Sequence, residues 1–167
     1  MSRAFTKEDD ASEDLPELPI PLGPNYMTPR GLAMMQAAGC ELVARKAAEA
    51  AKGGDLRPID RDLRYLEARM NSAILVPTGA GPEARFGAMV TIETADDSRQ
   101  SFQIVGEDEA RSDSSCLSWS SPLASAMFGA KAGDTISWER PDTVVRAKII
   151  GVEYFDHPTF QSRIQHS

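Results

Sequence analysis

Cysteine, histidine and basic charge are all scarce in this sequence, and each scarcity closes off a class of function. The two cysteines, Cys40 and Cys116, stand far apart without CxxC spacing, and both histidines, His157 and His166, lie near the C-terminus. Neither a disulfide framework nor a zinc site is expected from so few ligands so placed. Ser120, Ser121 and His157 make no nucleophilic set, because nothing in their spacing brings a base and an orienting acid together. Acids outnumber Lys and Arg by 25 to 18, a net charge of −7. Such a chain is not built to grip nucleic acid by itself, since that binding needs cations set against phosphates. No run approaches the roughly 18 apolar residues of a membrane span, and "MSRAFTKEDDASEDLPELPIP" lacks the apolar segment of a secretory signal. The expectation is a cytoplasmic protein with no membrane partner and no stably bound cofactor or metal.

What is present is enough for one domain or two small ones, with 167 residues of which 41% are hydrophobic. Residues 1–26 combine acids with Pro16, Pro19, Pro21 and Pro24 and carry few large apolar side chains, which predicts an extended or disordered, solvated leader. Within it, Leu15, Leu18, Ile20 and Leu22 are the residues able to dock on something. Residues 27–76 read as a helical hairpin. Thr28 suits an N-cap and Pro29 the first helical position, and a stripe of Leu32, Met35 or Gln36, Gly39, Leu42 or Val43, and Ala47 with Ala50 continues to a stop at Gly53-Gly54. Leu56, Ile59, Leu63, Leu66, Met70 and Ala73 then keep a 3,4,3,4,3 spacing that places all six on one seam. Asp55 would cap this second helix, with Pro58 in its first turn. Joined by "GGD", the two helices predict an antiparallel arm about 35 Å long.

Residues 77–84 are a linker by their Pro and Gly content, and from residue 85 the pattern alternates with period two. "RFGAMVTIE" and "RQSFQIVGE" flank the turn "TADDS", "CLSWS" is a further strand, "SPLASAMFG" a short Ser-capped helix, and "DTISWER" with "VVRAKIIGVEYF" completes an antiparallel sheet. The fold class is therefore α+β, with a two-helix hairpin before a sheet domain at 85–156 and a tail at 157–167. Trp119, Trp138 and Phe128 are expected in the core. "GEDEA", with Glu107, Asp108 and Glu109, reads as an acidic loop after a strand, the alternative being a cation chelate.

The order of "FGAMVTIE", "QIVGEDEA", "SPLASAMFGAKAGDTI" and "IIGVEYF", preceded by "YMTPRGL" and "IDRDLRYLEARMNSAILV", resembles the Gre family of bacterial transcription factors over residues 26–155. The residues that carry the likeness in the second half are Gly106, Glu107, Asp108, Glu109, Ser121, Pro122, Gly133 and Asp134. The resemblance implies a coiled-coil hairpin that enters the secondary channel of RNA polymerase and an FKBP-like domain docked at the channel rim. It further implies RNA polymerase core as the partner, transcript RNA met only indirectly, and a monomer. In the cleavage factors of the family, two acids at the tip, in a motif G-D-[LR]-S-E-N-A-[ED]-Y, help hold a second Mg2+ in the polymerase active site, where any RNA hydrolysis occurs.

Here the pattern breaks. After Gly54, Asp55 and Leu56 come Arg57 and Pro58, so the second tip acid of the motif falls on a proline. The segment that follows in the motif is absent, which shortens each arm by roughly 10 to 20 Å. Gly54 and Asp55, with Asp60 and Asp62 nearby, are the tip residues able to approach a polymerase active site. Read without the resemblance, Asp55 is an N-cap, while Asp60 and Asp62 are helix N-terminal charges with Arg64 in i,i+4 reach. Arg57, Arg61 and Arg64 form a stripe away from the seam, either a solvated face or a contact for RNA or an acidic polymerase surface. The leading expectation is a polymerase-binding regulator that does not strongly stimulate transcript cleavage. The alternatives are an active cleavage factor, a regulator like the short-armed Rnk branch linked to nucleoside diphosphate kinase, and, from the fold alone, a peptidyl-prolyl isomerase.

Overall fold

The computed structural model describes residues 15–155. The start of the leader, both histidines and the tail at 157–167 lie outside the described residues. The described chain begins with an irregular stretch from Leu15 to Pro24 and then a three-residue strand, β1 (Asn25–Met27). The expected leader thus ends earlier than residue 26, because Asn25, Tyr26 and Met27 pair in parallel with β2 (Ala73–Leu75).

Helix α1 (Pro29–Ala51) starts where its sequence dictates: Thr28 Oγ1 accepts the Gly31 N–H at 2.9 Å, and Pro29 occupies the first turn, where no N–H is needed. It ends in a Schellman turn. The Gly53 N–H reaches the Ala50 carbonyl and the Gly54 N–H the Glu49 carbonyl, both at 3.0 Å. Gly53 sits at φ +70°, a left-handed conformation that a Cβ would strain. Helix α2 (Arg57–Asn71) returns antiparallel. At 1.5 Å per residue the helices are about 35 and 22 Å long. Met35 and Ile59 are buried in the seam, with Leu32, Leu42, Leu63, Leu66 and Met70 half-buried beside them. Ala73, the sixth residue of the predicted seam, is not helical: α2 stops at Asn71, and the chain opens into β2 because β1 offers backbone partners there.

The second half is a five-stranded sheet in the order β5-β4-β3-β7-β6. Its strands are β3 (Met89–Thr94), β4 (Arg99–Val105), β5 (Cys116–Ser118), β6 (Thr135–Arg140) and β7 (Thr143–Glu153). The α+β class read from the sequence is the one observed, with two added details. β5 runs parallel to β4, so the sheet is mixed, and the acids after Gly106 form a short helix, α3 (Glu107–Ser112), rather than a loop. Between β3 and β4, Asp97 takes φ 59° in the tight turn that "TADDS" announced. The alternating strands place Val90, Ile92, Ile104, Ile136, Trp138 and Ile149 on one face, where α4 (Pro122–Met127) covers them with Ala124 and Met127. Trp138 is in this core and Trp119 is half-buried against it, but Phe128 is 41% exposed. Met127 already fills the core position, and the next residue, after the helix end, turns outward. Among the described residues no helix is long and apolar enough to cross a membrane.

Candidate functional site

The tip of the arm is built from the end of α1, the two glycines and the first turn of α2. Asp55 does not itself occupy the N-cap, which falls on Leu56, yet its carboxylate still serves the helix start. Oδ1 accepts the Arg57 backbone N–H at 3.0 Å and the Arg57 Nε–H at 2.9 Å, while Oδ2 accepts from Arg57 Nη2 at 2.8 Å. These bonds to Arg57 stabilise the charged form and hold the Asp55 carboxyl below its ordinary pKa. Gly54 lies under the side chain of Glu49, whose carboxylate occupies the space a Cβ at Gly54 would need. Sequence reasoning did not single out Glu49; its place three residues before the stop, at C3 of the Schellman turn, is the signal that brings it to the turn.

The other tip candidates are tied down individually. Asp60 Oδ1 pairs with Lys46 Nζ on α1 at 2.6 Å, which corrects the expected partnership with Arg64. Asp62 Oδ1 accepts from Arg61 Nη2 at 3.0 Å, and Arg64 pairs with Glu17 of the leader at 2.5 Å. The tip therefore presents one aspartate already bonded through both oxygens, and Asp60 and Asp62 point to different partners.

At the other end of the arm the structure assembles residues that the sequence left scattered. Gly106 lets β4 run into α3 directly against β1: a Cβ there would stand 2.5 Å from the Tyr26 carbonyl oxygen. The three acids of α3 then meet the hairpin. Arg69, only 2% exposed, donates from Nε to Asp108 Oδ2 at 2.6 Å, with Glu107 Oε2 at 3.8 Å from its Nη2. Tyr65 donates its hydroxyl to Asp108 Oδ1 at 2.6 Å. Burial, followed by the neighbouring Asp108, raises the pKa of that phenol. Glu109, 4% exposed, accepts from Thr28 Oγ1 at 2.7 Å and from Arg30 Nε at 2.9 Å, and Arg30 Nη2 also donates to Cys116 Sγ at 3.1 Å. Burial pushes the Cys116 thiol up, with Arg30 opposing. Tyr26 packs edge-on to Trp119, with centroids 5.0 Å apart.

This network corrects the reading of "GEDEA". It is neither a solvated loop nor a cation site, but the acidic half of the joint that sets the arm on the sheet domain. Its basic half, Arg30 and Arg69, lies 39 to 79 positions away in sequence, so the residues around the acids did not reveal it. Among the described residues, no group of three or more His, Cys, Asp and Glu side chains is arranged to hold a metal ion. The remaining motif residues build turns. Ser121 Oγ caps α4 by accepting the Ala124 N–H at 3.2 Å with Pro122 in its first turn, and Gly133 and Asp134 lead into β6, with Asp134 Oδ2 accepting the Lys131 N–H at 2.8 Å.

Comparison with known proteins gives a consistent result. A family model described as "Transcription elongation factor, GreA/GreB, C-term" matches residues 80–154. Transcription elongation factor GreB of Neisseria meningitidis serogroup A is 31% identical over 157 residues, covering 78% of this chain and 94% of that protein. GreA of Ruegeria pomeroyi is 30% identical over 150 residues, covering 77% and 96%. Among solved structures, a GreA/GreB factor from Nitrosomonas europaea aligns at 18% identity and a TM-score of 0.40, over 77% of this chain and 98% of that one.

Proposed function

Because the chain belongs to the GreA/GreB family of transcription elongation factors, we propose that it binds bacterial RNA polymerase as a monomer in the cytoplasm. Its arm enters the secondary channel, its sheet domain rests at the rim, and it modulates transcription by occupying that channel without stimulating transcript cleavage. The observation that carries the second part of this reading is the state of Asp55, both of whose carboxylate oxygens bond to Arg57.

Cleavage stimulation requires carboxylate oxygens aimed outward at a hard cation, with near-octahedral oxygen ligation for Mg2+. Asp55 meets that requirement poorly, since a metal would have to displace a bidentate guanidinium and a backbone N–H. Neither nearby acid of α2 stands ready beside it: Pro58 holds the corresponding sequence position, Asp60 is committed across the seam to Lys46 and Asp62 to Arg61, while Glu49 of α1 is folded over Gly54. The tip residues therefore do not fit a metal-delivering pair, and no hydrolytic step is assigned to this chain. Reach supports the same conclusion, because α2, with 15 residues, is only about 22 Å long.

What the arm does supply is a narrow wedge joined to the sheet domain by the Arg69–Asp108 and Arg30–Glu109 pairs, of which Arg69 and Glu109 are buried. Such a wedge excludes other occupants from a channel without taking part in chemistry. The test is to mix the protein with polymerase halted on backtracked RNA. Unchanged 3′ cleavage, together with inhibition of cleavage induced by an active family member, is expected. Strong cleavage lost on Asp55→Ala would overturn the reading.

A further inference from the structure

The five-stranded sheet ends on one side in β6, whose one strand neighbour among the described residues is β7. The opposite edge, β5, is three residues long, whereas β6 meets β7 at six consecutive positions without a bulge. Alternation decides which backbone groups of β6 that pairing uses. The Ile149 N–H donates to the Asp134 carbonyl at 2.8 Å, and Arg140 faces Thr143 across the tight turn at the other end of the strand. Residues 134, 136, 138 and 140 therefore bond toward β7. Thr135, Ser137 and Glu139 turn their N–H and C=O groups the other way, where no described strand meets them.

Folded sheets commonly blunt such an edge with lysine, proline, a bulge or a very short strand. Thr135–Arg140 carries none of these, and Thr135, Ser137 and Glu139 are all exposed. An open edge accepts an added strand, and the sequence of β6 says which strand fits. Its residues are complementary to themselves about Ser137. In an antiparallel pairing with a second β6, Ser137 faces its own counterpart, Thr135 faces Glu139, Ile136 faces Trp138, and Asp134 faces Arg140. Period two puts the last four on one face, where Ile136 and Trp138 belong to the core. The Arg140 guanidinium stands 5.9 Å from the Trp138 ring centroid on that face and has no acid partner among the described residues. Asp134 is exposed at the strand's other end. Sliding the pairing by two residues either way breaks up one bonded pair and separates Asp134 from Arg140.

We propose that β6 is a self-association edge: two copies of this chain join Thr135–Arg140 antiparallel about a twofold axis at Ser137, making one sheet continuous through both. Three outward-facing pairs supply about six backbone hydrogen bonds. Two symmetry-related Asp134–Arg140 pairs flank them, each set directly opposite, where unlike charges stabilise a sheet. The contact is small for a protein interface, below about 1,200 Å² in total, so association is weak and the chain is single when dilute. The pairing belongs to the free chain and does not rest on the function proposed above, whose monomer is the dilute form.

Sedimentation equilibrium of the full chain from about 10 µM to 1 mM covers the range in which so weak a complex forms. The average mass should rise from that of one chain toward that of two. Ser137→Pro deletes an N–H that faces solvent in the single chain, a position where an edge strand tolerates proline, and should hold the mass at one chain throughout. Arg140→Asp sets like charges opposite each other twice and should weaken association at least about tenfold, while Asp134→Arg/Arg140→Asp should restore it to within about threefold. The two charge variants leave the backbone of β6 intact, so they decide the matter even where proline disturbs the strand. A mass fixed at one chain in the unaltered protein up to about 1 mM would overturn the proposal. So would a dimer that neither Ser137→Pro nor Arg140→Asp weakens, or a charge swap that fails to recover association.

Discussion

Replacing Arg69 with Met removes a guanidinium whose side chain is 3% exposed and leaves Asp108, itself 12% exposed, without its 2.6 Å partner. Breaking one side of a buried ion pair costs about 3 to 5 kcal/mol, because the surviving charge stays desolvated. The low end applies here, since Asp108 keeps the Tyr65 hydroxyl at 2.6 Å and a more distant Arg111 at 3.6 Å. A loss of about 3 kcal/mol in a chain of this size lowers Tm by roughly 6 to 12 °C. Thermal and urea denaturation followed by circular dichroism measure it. Adding Asp108→Leu to Arg69→Met removes the stranded charge and should recover at least about half the loss, as apolar replacement of a whole pair does. An Arg69→Met protein within about 1 kcal/mol of the unaltered one would refute the claim that this pair holds the joint. A double variant less stable than either single variant would refute the reasoning about the stranded carboxylate.

Gly106→Ala places a methyl 2.5 Å from the Tyr26 carbonyl oxygen, a backbone atom pinned by the β1–β2 pairing, and should destabilise by about 1 to 3 kcal/mol in the same denaturation experiment. Gly39→Ala, in the middle of α1 with open space around the new methyl, should instead stabilise by about 0.5 to 1 kcal/mol. The Asp55 carboxyl should titrate by NMR below its ordinary value of 3.8 and move back toward it in Arg57→Ala. Because the folded value is the lowered one, any stability tied to this group is present above 3.8 and is lost as pH falls through the lowered value.

The parts legible in the sequence were those encoded by near neighbours. Thr28-Pro29 and Ser121-Pro122 each begin a helix because a hydroxyl three residues ahead meets an orphan N–H, and both are where they were expected. Alternation along β3, β4 and β6 gave the core face for the same reason: period two is a local property. The larger misreadings concern partners distant in sequence. Ala73 fits the helical seam by spacing, and only the arrival of β1 makes it a strand residue. Glu107, Asp108 and Glu109 look solvated until Arg69 and Arg30 are brought to them by the hairpin. Tyr65 and Arg69, four apart on α2 beside an otherwise apolar seam, were the available hint that its base faces something acidic. At the tip, the absence of a second acid was readable from Pro58, but the double engagement of Asp55 by Arg57 was not, since Arg57 faces either solvent or its neighbour with equal ease by spacing alone.

The account turns on whether the arm is an occupant or a chemical participant. The direct measurement is the rate of 3′ transcript cleavage in purified backtracked elongation complexes, with and without saturating protein and with Asp55→Ala. The account predicts that all three rates coincide while the protein remains bound to polymerase. Cleavage accelerated by the unaltered protein and lost in Asp55→Ala would contradict it.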